Sequence, residues 1–404
     1  MSLMPGTKDD GSGLLLSGAR LVLPDRVAGG LALLVGGGRV RAIVGEGGPP
    51  RGPVRTLDLG GLTLYPGFVD VHIHGALGVD TLEAEADDLR RVARFLAGRG
   101  VTAWLPTLVP GPEDEYRRAA DSIARLMRDE DAREPAARAV GIHYEGPFVN
   151  REQCGALRPA HFRAYREPSD LDALAVPESG ARMMTLAPEV EGGVELVREL
   201  VRRGWVVSVG HTRAATETLE RAREAGARHV THFPNAMPPL HHRAPGPVAW
   251  GLLGDGVSVD VIADGVHCDP QMLRLVLRCK GAERVSLISD AVAPAGLGDG
   301  EFRLWGETIR VEGGRTRNER GSIAGSVITM LDAVRLMLRL GVTEPEAARM
   351  ASLNPARLLG LGSECGSIEE GKRADLVALD SEGRVRLTLV GGRVAFDGLD
   401  AARS

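Results

Sequence analysis

The sequence predicts an α/β chain: a (β/α)8 TIM barrel with a small β-sandwich domain built from both termini. Three observations predict it. Eight short apolar runs alternate with helical patterns through the middle of the chain. Both ends are strand-rich and lack a helical period. Imidazoles and carboxylates stand at the ends of several apolar runs, where a barrel collects its chemistry.

Residues 1–62 read as short strands, with apolar runs at 14–23, 31–35 and 40–44 and a turn at Gly36-Gly37-Gly38. Residues 364–404 read alike, with strands at 374–379 and 386–390 and turns at Ser381-Glu382-Gly383 and Gly391-Gly392. Neither end is long enough to bury a good core alone, so the two are expected to form one small β unit. Residues 63–363 are then the catalytic barrel. Its strand candidates are 68–73, 102–108, 140–144, 182–186, 205–209, 229–233, 258–262 and 285–289. Leu89, Val92, Ala93 and Leu96 are spaced for one face of a helix, which stops at Gly98 and Gly100. Further helices are expected at 116–127, 194–202, 217–224 and 270–277. A doubly wound open sheet is the competing architecture and requires one or two of these strands to be misread. Residues 302–317 read as an inserted hairpin turning at Gly313-Gly314.

With 43% hydrophobic and 25% charged residues among 404, the chain can bury a substantial core. Its net charge of −5, with no stretch of uncompensated Lys and Arg, argues against nucleic-acid binding. An anionic substrate would have to be caught by a few local groups. Cys154, Cys268, Cys279 and Cys365 form no CxxC pair, which suits reduced thiols in a cytoplasmic protein. The sequence shows no run of about 18 apolar residues and no export leader, so neither a membrane span nor secretion is expected.

The chemistry follows the strands. His72 and His74 are two apart, so alternation points both to one face of the first strand, where they can share a metal ion or simply be satisfied by backbone partners. Glu145 ends the third run, where a buried carboxylate is costly unless paired or ligating; the alternative is a loop cap. His211 ends the fifth and His232 falls within the sixth. With Glu145 they would make a three-ligand site with an open position, the form that hydrolysis requires and a closed structural zinc site lacks. Asp290 ends the eighth and can serve as a general base, or as a cap. Arg243, in the segment His241-His242-Arg243-Ala244-Pro245-Gly246, can grip a phosphate or be an ordinary surface arginine; His267, beyond Asp264, is equally open.

These residues sit in segments that resemble the N-acetylglucosamine-6-phosphate deacetylases of the amidohydrolase superfamily: PGFVDVHIHG from Pro66, HYEGPFVN from His143, VGHTRA from Val209, THFPNAMPPLHHRAPG from Thr231, ADGVHCD from Ala263, SDAVAPAG from Ser289 and IAGSVITM from Ile323. ASLNPARLLGL and GSIEEGKRADLVALD mark the superfamily more generally. The resemblance implies a metal on Glu145, His211 and His232, with Asp290 as base and then acid. It implies substrate contacts from Ala156, Asn235, Ala236, Arg243 and His267, with Ile323 lining the pocket. Retention of His72 and His74 resembles a two-metal branch with Glu145 bridging. It further implies one or two divalent ions, zinc first with iron, manganese or cobalt able to fit, and a homodimer in which an arginine can cross to the neighbouring site. The implied reaction is removal of acetate from N-acetyl-D-glucosamine 6-phosphate; the galacto epimer or another amide substrate is the alternative. One position departs from the family. Where its members commonly carry a carbonyl-polarising histidine, this chain has Leu157, so a second metal, Arg158 or His161 must supply that function, or the substrate differs.

Overall fold

The computed structural model describes residues 13–45, 54–129 and 134–399. The opening residues, where the absence of an export leader was read, lie outside them. Eight parallel strands follow one another in chain order: β1 Phe68–Ile73, β2 Val101–Leu108, β3 Gly141–Glu145, β4 Ala181–Leu186, β5 Val206–Val209, β6 His229–Val230, β7 Ser258–Ile262 and β8 Val285–Ile288. The seam between β8 and β1 is held by the Asp290 N–H, which donates to the His72 carbonyl at 2.9 Å. The result is a nearly closed barrel, and the doubly wound alternative falls away.

Every residue of β1, β2 and β3 is buried. The sheet is covered on both faces, which is why the strands read as continuous apolar runs. One face packs Val69, Val71, Ala103, Leu105, Met183, Ile262 and Ile288 together. Intervening residues such as Phe68, Trp104 and Ile142 pack on the other side against helix residues including Leu89, Val92, Leu96 and Ile123. The helices Ala86–Ala97, Glu113–Arg128, Gly193–Arg202, Thr216–Ala225 and Pro270–Lys280 stand where the periodicity placed them. Among the described residues no helix is long and apolar enough to cross a membrane.

Two further sheets lie outside the barrel, one of N-terminal strands alone and one of strands from both ends. One has the order Arg39–Gly45, Leu31–Gly36, Gly13–Ser17, Val54–Asp58. The other runs Arg393–Asp397, Val385–Val390, Leu376–Leu379, Thr63–Pro66, Arg20–Val22, Val27–Ala28. Leu16, Leu33 and Val35 of the first meet Leu21, Leu64, Leu376 and Leu387 of the second in one apolar cluster. The run at 14–23 is two strands, because Gly18 takes φ +76° and a Cβ there would lie 2.5 Å from Asp58 Oδ1. That turn carries the chain from one sheet to the other.

The expected hairpin at 302–317 is a three-stranded antiparallel sheet, Gly300–Leu304, Glu307–Glu312 and Arg315–Arg317. Gly313-Gly314 makes one turn as expected. The other is the two-residue turn Trp305-Gly306 between the pair Leu304 and Glu307. It was not legible because Trp is a poor turn residue: both positions have positive φ, a geometry normally filled by Asn, Asp or Gly.

Candidate active site

The carboxyl ends of the barrel strands converge on a cleft of about 280 Å³. His74, Glu145, His211, His232 and Asp290 line it together with Ala156, Leu157, Asn235, Ala236, His267, Trp305 and Ile323. Six non-glycine residues of the described chain have positive φ; five of them, His211, His232, Ala236, Asp290 and Trp305, line this cleft. Such conformations cost on the order of 1–3 kcal/mol each and persist only where the surroundings enforce them. The enforcing contacts are visible. The Asn150 N–H donates to the His211 carbonyl at 3.0 Å. The His232 N–H donates to buried Asp260. The Ser326 N–H donates to the Asp290 carbonyl at 2.7 Å.

The ionisable groups form two sets of three, each with its donor atoms within 4.8 Å of one another: His72, His74 and Asp290, and Glu145, His211 and His232. Glu145 joins them. Its Oε1 is 3.0 Å from His211 Nε2, 2.9 Å from His232 Nε2 and 3.5 Å from His72 Nε2, while Oε2 is 3.3 Å from His74 Nε2. Asp290 Oδ1 lies 3.5 Å from His72 Nε2 and 3.3 Å from His74 Nε2.

The far ring nitrogens orient the near ones. His211 Nδ1 is 2.7 Å from the Gln153 carbonyl and His74 Nδ1 is 3.2 Å from the Thr107 carbonyl, so each must carry its proton there. His72 Nδ1 meets Thr231 Oγ1 at 3.1 Å. In the neutral rings the Nε2 lone pairs of His211 and His74 therefore face inward, and Nε2 atoms approach one another at 3.0 Å (His211 and His232) and 3.2 Å (His72 and His74). Bare lone pairs and two carboxylates at such range repel unless a cation or protons lie between them. Six imidazole and carboxylate donors, with the far nitrogens of His72, His74 and His211 fixed by outer partners, suit a divalent ion.

Electrostatics agree. Burial pushes the Glu145 and Asp290 carboxyls up, but the surrounding histidines more than offset it and hold both below the usual range. Burial opposes protonation of His74, yet hydrogen bonds to Asp290 and Glu145 carry it up to about 10. His143, the remaining histidine of this layer, behaves differently. Burial holds it well below the usual value, and it is satisfied by Val71 O and Thr185 Oγ1 at 3.1 and 2.8 Å. It is a packing residue behind the ligands.

His267 Nδ1 bonds Asp264 Oδ2 at 2.7 Å, leaving Nε2 free on the ring. Asn235 Nδ2 donates to the His232 carbonyl at 3.0 Å. Arg243 does not line the cleft of its own chain; it is exposed, with its guanidinium 2.8 Å from His242 Nε2. Arg158 is engaged with Glu115 at 2.8 Å, and neither it nor His161 lines the cleft. Sequence reasoning missed Trp305, whose ring approaches His74 edge-on at 5.3 Å between centroids, and Asp70, which anchors β8 by accepting from Ser289 Oγ at 2.5 Å. An aromatic residue in a glycine-type turn was the available signal for Trp305.

The model of the amidohydrolase family matches residues 63–395. The chain belongs to the amidohydrolase family. Within it, this amidohydrolase groups with the N-acetylglucosamine-6-phosphate deacetylases. It is 35% identical over 338 residues to that deacetylase of Bacillus subtilis, covering 82% of this chain and 84% of the relative. It is 39% identical over 345 residues to the N-acetylgalactosamine-6-phosphate deacetylase of Escherichia coli O157:H7, covering 85% and 90%. Among solved structures, N-acetylglucosamine-6-phosphate deacetylase from Thermotoga maritima superposes with a TM-score of 0.84 at 33% identity, covering 95% of this chain and 99% of that one. The Mycobacterium smegmatis enzyme in complex with N-acetyl-D-glucosamine-6-phosphate gives 0.85 at 34%, covering 95% and 100%.

Proposed function

We propose that this amidohydrolase removes the acetyl group from N-acetyl-D-glucosamine 6-phosphate, giving D-glucosamine 6-phosphate and acetate. The observation that carries the reading is Glu145 set between two three-donor sets, beside Asp290 and open to a cleft. A divalent ion on these ligands, zinc first with iron, manganese or cobalt as alternatives, would polarise the amide carbonyl and ease deprotonation of a water, functions that Leu157 cannot share. Glu145, His211 and His232 would hold one ion, and His72, His74 and Asp290 would hold a second. Asp290 accepts a proton from the water attacking the acetyl carbon. It returns that proton to the sugar nitrogen as the carbon–nitrogen bond breaks. Asn235, Ala236 and His267 hold the sugar phosphate, with Ala156 and Ile323 closing the pocket.

A homodimer in the cytoplasm belongs to the same reading. Arg243 stands outside its own cleft, and Leu240 and Leu253, at either side of it in sequence, are 54% and 75% exposed. A partner subunit would cover them and receive Arg243 as a phosphate ligand. The galacto epimer is the second reading, favoured by the 39% identity to its deacetylase. Acetate release from N-acetylglucosamine 6-phosphate, its unphosphorylated analogue and N-acetylgalactosamine 6-phosphate tests all three points. Phosphate-dependent release from the gluco sugar is expected; metal-loaded protein inert on both phosphorylated sugars would sink the reading.

A further inference from the structure

The cleft residues fall into two chemically different groups. Asn235, His267, Glu145, Asp290, Ser322 and the other histidines present polar atoms. Ala156, Leu157, Trp305 and Ile323 do not. Leu157 is 3% exposed and has no donor. Trp305 has one, and it is committed: Nε1–H donates to Asp80 Oδ2 at 3.0 Å. Trp305 and Ala156 pack on one apolar cluster, Val292, Ala293, Leu304, Ile309 and Ala324. Arg320 ties the segments together by pairing with Glu307 at 3.0 Å and donating to the Leu157 carbonyl at 3.3 Å. The insert therefore delivers Trp305 as part of a wall assembled with the Ala156–Leu157 segment. That wall stands beside His74, next to the reacting centre.

A left-handed turn position that normally takes Asn or Gly carries a tryptophan held at φ +54°. The strain persists because Asp80 and the apolar cluster fix the indole, and a strained side chain in a cleft points to a role for that side chain.

We propose that Trp305, with Leu157, is the end wall of the acyl pocket, and that it confines the enzyme to small apolar acyl groups of acetyl size. This rests on the deacetylase reading above. If Asn235, Ala236 and His267 hold the sugar, the acyl group of an amide bound across the metal ligands is left to face this wall. A hydroxyl on the acyl group would lose its water there and find no side-chain partner on Ala156, Leu157, Trp305 or Ile323. An extra methylene would meet the indole.

The test compares kcat/KM for the N-acetyl, N-propionyl and N-glycolyl derivatives of glucosamine 6-phosphate in the wild type, Trp305→Ala and Trp305→Phe, with metal content and melting temperature recorded for each. The wild type should favour acetyl over glycolyl by roughly 10–100-fold, the range in which an apolar pocket rejects an added hydroxyl. Trp305→Ala should raise the propionyl-to-acetyl ratio by about tenfold or more, since one methylene in a pocket is worth that much. Trp305→Phe should retain most of the wild-type preference. A ratio unchanged in Trp305→Ala, with acetyl hydrolysis and metal intact, overturns the inference and leaves the deacetylase reading standing. Equal use of glycolyl and acetyl by the wild type does the same. Failure of the metal-loaded wild type on every one of these phosphorylated amides overturns the deacetylase reading itself, and the acyl pocket with it.

Discussion

The two ligand sets are built in different ways. Glu145, His211 and His232 come from the ends of β3, β5 and the segment after β6, and two of the three hold left-handed backbone that Asn150 and Asp260 enforce. His72 and His74 come from the end of β1, joined across the barrel seam by Asp290, the one left-handed residue of this set. The first set is preorganised by long-range contacts, the second by strand alternation and closure. Glu145 belongs to the first and also reaches both histidines of the second, at 3.5 and 3.3 Å. The difference teaches that the first set should be the firmer ion site and the second the more dispensable one.

Removing the Glu145 carboxylate should have the largest effect. Glu145→Gln is expected to lower bound metal at both positions and abolish turnover; metal analysis alongside acetate release checks it, and full metal content would show that Glu145 does not join the sets. Next comes Asp290→Asn, expected to cut kcat by about 10²–10⁴-fold, the usual contribution of a positioned proton-transfer group. Metal on Glu145, His211 and His232 should survive, and near-normal turnover would remove Asp290 from proton transfer. The asymmetry itself is tested by His211→Ala against His74→Ala. The first should lose all bound metal and the second at most one equivalent. Equal losses would mean the sets are one site. Smallest is Thr231→Val, which takes the partner from His72 Nδ1. Outer partners of metal-ligating histidines are worth about 10–100-fold in affinity, so metal titration should show weakening confined to the second equivalent.

The same contrast governs what the sequence made legible. The HIH spacing on β1 was readable because strand alternation is local. His211, His232 and Asp290 were readable as strand-end residues, but not their left-handed backbones, which depend on Asn150, Asp260 and Ser326 from elsewhere in the chain. The run at 14–23 hid a crossing between sheets because the break at Gly18 depends on the approach of Asp58 and Gly60. Trp305 escaped notice because its turn breaks the residue preference by which turns are recognised.

The sequence by itself determined the alternation of strands and helices in the barrel, the residue types able to bind a divalent ion, and the rim of the barrel on which they would gather. These follow from periodicity and from side-chain chemistry, both written locally. Only the tertiary structure decided that Glu145 reaches the histidines of the second set, that Arg243, Arg158 and His161 do not line the cleft, and that a tryptophan from the insert does. Each of these depends on barrel closure and loop packing, which bring residues distant in sequence to within a few ångströms, and no local pattern encodes that distance.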